Sequence, residues 1–140
     1  MTYRNGSSLD GRHYWLTPPE LRRRFEAQEG CMFDPCPYPR PADFDGLKCP
    51  WERCNFVNPP FDHLRLWVSK ALAEQSAGRR SVVLVPVKQW EMDLFSRASA
   101  LISLGRVRWL ATEDGSPQRA GKGWLILAAI LDPEKVGSGV

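Results

Sequence analysis

Apolar residues recur at two spacings along this chain, and the changes of spacing mark out its elements. Thr17 precedes Pro18-Pro19-Glu20. That order reads as an N-cap, prolines suited to a first helical turn, and a capping-box partner three residues on. Leu21 and Phe25 lie four apart on one face, so a helix is predicted over residues 18–28, closed by Gly30. Cys31-Met32-Phe33 is a short apolar run that stops at Asp34-Pro35. Pro35, Pro37, Pro39 and Pro41 then exclude regular structure. Residues 43–51 read as loop, with Asp45-Gly46 as a turn. Asn55-Phe56-Val57 predicts a second strand that ends at Asn58-Pro59-Pro60-Phe61. Leu64, Trp67, Val68, Ala71 and Leu72 follow a helical period, and Gly78 closes that helix. Val82-Val83-Leu84-Val85, stopped by Pro86, suits a strand buried on both faces. Residues 90–98 read as helix, 101–103 and 107–110 as two short strands around a turn at Gly105, and 124–131 as a long strand after a polar loop.

Strands alternating with helices, then a strand-rich end, predict an α/β fold: a reduced Rossmann-like sheet, parallel at first, with antiparallel C-terminal strands. The expected organisation is one domain over residues 1–140, with a loose N-terminal arm at 1–14 and a loose tail at 132–140. A chain of 140 residues, 43% of them hydrophobic, is long enough to bury one core without staples. It has no apolar run that would span a bilayer, and Met1 to Asp10 lacks the apolar centre of a secretory signal. The expectation is a cytoplasmic protein without a membrane partner.

The net charge of +3 permits nucleic-acid binding without demanding it. Basic residues gather at Arg22-Arg23-Arg24, Arg79-Arg80 and Arg106 to Arg108. A solvated helix face with a basic loop and a set of phosphate contacts both remain open readings. Cysteines 31, 36, 49 and 54 form two C-x4-C pairs, unlike the tight C-x2-C of a zinc ribbon. They are read as small thiols of strands and loops, with neither a zinc site nor disulfides expected.

Two predicted strand ends carry the candidate chemistry, because ligands of open α/β sheets bind beyond the carboxyl ends of the strands. At the second, Asn58 offers a carbonyl acceptor, Pro59 and Pro60 give up their N–H groups, and Phe61 adds a planar ring. Acceptors beside a ring suit a planar NH2 group, which donates two hydrogen bonds while its heterocycle stacks. An ordinary Asn-Pro turn accounts equally well for the tetrapeptide alone. At the first end, Asp34 is either a cleft carboxylate or a loop cap, and Asp43 and Asp45 offer further carboxylates nearby.

Thr17-Pro18-Pro19-Glu20, Phe33-Asp34-Pro35-Cys36, Asp45-Gly46-Leu47 with Trp51, and Asn58-Pro59-Pro60-Phe61 follow one another in this order. That series resembles the phage-type (Dam-like) DNA N6-adenine methyltransferases, and the likeness runs from about Trp15 to Leu131. It implies an enzyme with S-adenosylmethionine as cofactor and DNA as partner. It further implies that the Asn58-Pro59-Pro60-Phe61 loop is catalytic, with Asn58 and the Pro59 carbonyl on the target amine and Phe61 against a flipped base. Thr17, Pro18, Asp34, Pro35 and Cys36 would line the cofactor cleft, Asp45 would sit near the adenosine end, and Trp90 and Arg106 would face substrate. Two departures accompany the likeness. No glycine lies between Gly30 and Gly46, and the stretch from Pro35 to Asn58 is too short for the usual intervening strand and helices. A degenerate relative that binds nucleic acid or protein without catalysis, and an enzyme acting on RNA, remain as alternatives. So little chain lies outside the shared core that relaxed specificity is expected, unless a second copy of the chain or a partner subunit adds the reader.

Overall fold

The computed structural model describes residues 15–30, 33–37, 40–60, 63–87, 92–107, 109–111 and 125–133. In chain order these form β1 (Trp15–Leu16), α1 (Pro19–Glu29), β2 (Cys54–Val57), α2 (Leu64–Ser76), β3 (Arg80–Pro86), α3 (Met92–Arg97), β4 (Ala100–Arg106), β5 (Leu110–Ala111) and β6 (Leu125–Leu131). The main sheet has the order β2-β3-β6-β4, and β1 pairs with β5 in a separate ribbon. β2 and β3 are parallel, joined through α2, whereas β6 runs antiparallel to both β3 and β4. Phe33 extends the sheet past β2 through a single parallel bridge to Asn55. The protein is therefore mixed α/β, parallel at its first strands and antiparallel at its last.

Alternate side chains of each strand enter different cores. Val57, Val83, Val85, Ala129 and Leu131 face Trp67, Val68 and Ala71 of α2 and Leu94 of α3. Phe56, Val82, Leu84, Ile126, Ala128 and Ile130 face Phe25 of α1, with Val107 and Trp109. Helices thus cover both faces, which explains the unbroken apolar run of β3. In α2 the inward positions are Leu64, Trp67, Val68, Ala71, Glu74 and Gln75, a helical stripe whose last turn is polar.

Three elements depart from the sequence expectation. The N-cap of α1 is Pro18, and no side chain caps it. Thr17 is engaged elsewhere, so the expected capping box with Glu20 does not form. The first of the two strands expected about Gly105 runs on through it to Arg106, and the second begins only at Leu110. Gly105 takes φ 67°, and the register slips between Ser103 and Gly105, so a bulge absorbs the glycine while β4 continues along β6. The third concerns Arg22, described with the site below.

Glu74 secures the long loop before β2. Its carboxylate accepts from the Trp51 N–H at 3.1 Å and pairs with Lys70 Nζ at 2.7 Å and an Arg79 guanidinium nitrogen at 2.9 Å. Trp51 stacks on Trp67, with centroids 6.4 Å apart, and its indole N–H donates to the Gly46 carbonyl at 2.7 Å. Burial opposes ionisation of Glu74, but the hydrogen bonds from Lys70 and Trp51 and the charges of Lys70 and Arg79 outweigh it, holding the carboxyl below its ordinary value of 4.5. A lowered carboxylate stabilises the fold fully above that ordinary value and loses its contribution as the pH falls through the folded one. Glu74→Ala is expected to cost about 2–3 kcal/mol, because an N–H and two cations lose their acceptor. Glu74→Gln, which keeps an acceptor for Trp51, should cost less and should flatten the loss of stability below pH 4.5. Urea denaturation of both variants across that range checks the ordering and the flattening.

Candidate functional site at the strand tips

The parallel register decides where the singled-out residues go. Phe33 donates its N–H to the Cys54 carbonyl and accepts from the Phe56 N–H at 2.8 Å, so the chain after Phe33 leaves the sheet beside the end of β2. Asp34-Pro35-Cys36 and Asn58-Pro59-Pro60 therefore emerge together at one edge. Further along the same edge come Val87, whose N–H bonds the Leu125 carbonyl at 2.7 Å, and then Arg106, paired with Leu125. Val87 and Leu125 are exposed apolar side chains, and Arg106 is exposed. Phe61 and Trp90 lie outside the described residues.

Asn58 is buried, and its Nδ2 donates to Thr17 Oγ1 at 3.0 Å. This contact is why Thr17 is not a helix cap. With Nδ2 engaged by Thr17, Oδ1 is the other branch of the carboxamide. β1 delivers Thr17 to this position, since Leu16 pairs with Leu110 just past the end of β4. Pro59 and Pro60 are buried as well, and the Pro60 carbonyl accepts from the His63 N–H at 3.1 Å, leading the chain into α2. Pro18, next to Thr17, contributes its carbonyl to the first turn of α1 through the Arg22 N–H.

Asp34 folds back on its own loop. Its Oδ1 accepts from the Cys36 N–H at 2.8 Å, and its Oδ2 lies 3.4 Å from an Arg22 guanidinium nitrogen. Burial pushes the carboxyl above the ordinary carboxylate range, against the opposing pull of the Cys36 N–H and Arg22. Arg22 thus belongs to neither of the roles expected for its basic run, a solvated face or a phosphate contact. It pairs with Glu26 one turn on at 3.2 Å and with Asp34, and its guanidinium sits 5.1 Å from the Phe56 ring centre. A signal was present in the sequence: Arg22 stands three residues before Phe25, on the margin of the buried stripe. Arg23 and Arg24 remain exposed.

The loop carrying Asp45 packs beneath the first tip. Gly46 is buried where a Cβ would fall 1.8 Å from the Pro35 carbonyl oxygen and 3.1 Å from the Trp67 ring. Asp45 is thereby held close to Pro35, with its Oδ1 accepting from the Leu47 N–H at 2.9 Å. Asp43, exposed and at φ 63°, turns the chain outward.

Cys36 holds a buried thiol and Cys49 a half-buried one. Cys54 corrects the expectation of thiols throughout, because it is disulfide-bonded, to a partner outside the described residues. Among the described residues no three His, Cys, Asp or Glu side chains converge as metal ligands. No described helix is long and apolar enough to cross a membrane.

A cavity of about 720 Å³ opens at the other end of the sheet, lined in part by Phe33, Arg53, Cys54 and Asp132 and by the ion-paired Glu29 and Arg80. It lies where β2 and β3 begin, whereas bound ligands of open α/β sheets contact the strand ends. Asp34 and Asn58 lie at the opposite, carboxyl end of β2 and β3. Comparisons with protein-family models, with curated proteins and with solved structures return no match.

Gly46→Ala tests how tightly the tips are built. A Cβ at 1.8 Å from backbone oxygen requires Pro35 to move, so the substitution should cost about 1–3 kcal/mol. Thermal unfolding reads that loss, and an unchanged melting temperature would show that the loop relaxes freely around Pro35.

Proposed function

We propose that this protein transfers a methyl group from S-adenosylmethionine to an exocyclic amine in DNA, adenine N6 foremost. The observation that carries the reading is that Asn58, hydrogen-bonded to Thr17, leaves the sheet at the same end as the chain after Phe33, which carries Asp34. Parallel first strands with an antiparallel strand inserted before the last edge support a reduced Rossmann-like fold, in which such an edge is where ligands sit.

The residues present fit the cofactor. Asp34, and Asp45 in the loop whose Gly46 packs on Pro35, are carboxylates suited to an ammonium or to ribose hydroxyls. Thr17, Pro18, Pro35 and Cys36 complete that side of the cleft. When bound, S-adenosylmethionine supplies an electrophilic methyl group. This chain's own part is to hold the amine. Asn58 Oδ1 and the Pro59 carbonyl accept its two N–H bonds, which draws the nitrogen lone pair out of ring conjugation, and Phe61 stacks on the extruded base. Burial of Asn58, Pro59 and Pro60 keeps water from competing for those bonds. Val87 and Leu125 give the edge an apolar surface, and Arg106 a phosphate contact at its far end. Sequence recognition is relaxed unless a second copy of the chain or a partner subunit adds the reader.

A second reading, a nucleic-acid-binding relative without catalysis, is favoured by one observation: both Asp34 oxygens already have protein partners. Calorimetry with S-adenosylmethionine separates the two, since only the enzyme takes up the cofactor.

Radiolabelled methyl transfer to DNA, followed by nucleoside mass spectrometry, tests the activity. Asn58→Ala is expected to lower the rate by about 100–1000-fold while the fold and cofactor binding persist, as for loss of one preorganised polar group. Full activity in folded Asn58→Ala protein would remove Asn58 from the chemistry. Thr17→Val should lower kcat about tenfold and cost about 1–3 kcal/mol of stability, since the buried Asn58 Nδ2 loses this acceptor, and Thr17→Ser, which keeps the hydroxyl acceptor, should retain most of both.

A further inference from the structure

We infer that Arg22 is a positioning residue that ties the two strand tips together and holds Asp34 ready to receive a cationic group of the cofactor. The inference rests on the methyl-transfer reading for the identity of that group, and on geometry for the rest. Arg22 uses three parts of its side chain. One guanidinium nitrogen meets Asp34 Oδ2 at 3.4 Å, Nε meets Glu26 at 3.2 Å, and the plane lies 5.1 Å from the Phe56 ring centre. Phe56 stands two residues before Asn58 and is fully buried against Phe25. One side chain of α1 therefore spans from the Asp34 tip to the strand that carries Asn58. Lysine cannot reproduce this, because a point charge has neither a second planar edge nor a face to stack.

Asp34 sits in a crowded place that favours its neutral form, and Arg22 opposes that. Among the described residues Arg22 is the charged side chain paired with Asp34, Glu26 faces Arg22 from one turn along α1, and the Cys36 N–H is the contact from Asp34's own loop. Strengthening or weakening the Arg22 charge must then move the ionisation of Asp34 in opposite directions. Arg22→Met removes the cation and raises the Asp34 midpoint. Glu26→Gln removes the anion that partly neutralises Arg22 and lowers it. Glu26 lies on a partly exposed helix face, so that variant keeps the proposal testable where Arg22→Met fails to fold.

The experiment has two arms. Carboxyl-carbon NMR titration, with Asp34 assigned by comparison with Asp34→Asn, follows the ligand-free protein in the wild type, Arg22→Met, Arg22→Lys and Glu26→Gln. The midpoint should rise in Arg22→Met, fall in Glu26→Gln and lie between wild type and Arg22→Met in Arg22→Lys. Midpoints that do not move overturn the proposal. The second arm is calorimetry with S-adenosylmethionine at successive pH values. Arg22→Met should weaken binding about tenfold at neutral pH, and the acid limb of affinity should follow the Asp34 midpoint from variant to variant. An acid limb indifferent to those midpoints also overturns it. Failure of the wild type to take up S-adenosylmethionine sinks the functional reading instead, and the NMR arm still decides whether Arg22 governs Asp34.

Discussion

Two main-chain hydrogen bonds made by Phe33 underlie the candidate site. They place one residue of a proline-braced loop in parallel register with β2. Without that register the Asp34 and Asn58 tips would have no reason to share an edge. A single bridging residue is a weak strand by itself, so the alignment must be supported from both sides of the sheet. α1 supports it through Arg22, which reaches Asp34 and covers Phe56. α2 supports it through Trp67, which closes on Gly46 where that glycine meets the Pro35 carbonyl.

The α2 side shows how a buried charge serves a loop. Glu74 is nearly inaccessible, a costly place for a carboxylate, yet three donors converge on it. One of the three is main-chain, so the arrangement fixes the path of the chain at Trp51 and not only a pair of surface charges. Trp51 in turn bonds the Gly46 carbonyl. The line from Glu74 to Pro35 is a continuous series of polar contacts and close packing.

Local patterns made much of the fold legible in the sequence. Leu64, Trp67, Val68 and Ala71 predicted α2, and the run from Val82 to Val85 predicted a strand covered on both faces, because periodicity reports burial directly. Gly30 ended α1 as expected, in the left-handed conformation that glycine adopts without strain. Gly105 misled, since a glycine inside a strand marks a turn or a bulge equally well, and only pairing with β6 chooses between them. Thr17 misled for a related reason. Its hydroxyl suits a helix cap, but Asn58, distant in sequence, engages it first. The spacing of Arg22 from Phe25 hinted that it borders the core but not that Asp34 is its partner, and the disulfide of Cys54 left no local signal, because both depend on contacts between segments far apart in the chain.

The sequence by itself determined the elements, the fold class and the residue types at the two strand tips, because helical and strand periods, proline stops and polar loop residues act over a few neighbouring positions. Tertiary structure alone decided that Asp34 and Asn58 stand together, that Thr17 orients an amide instead of capping a helix, that Arg22 turns inward and that Gly46 must be glycine. Each of these depends on strand register and on contacts between residues far apart in the chain, and register is set by the summed packing of the whole sheet rather than by any local pattern.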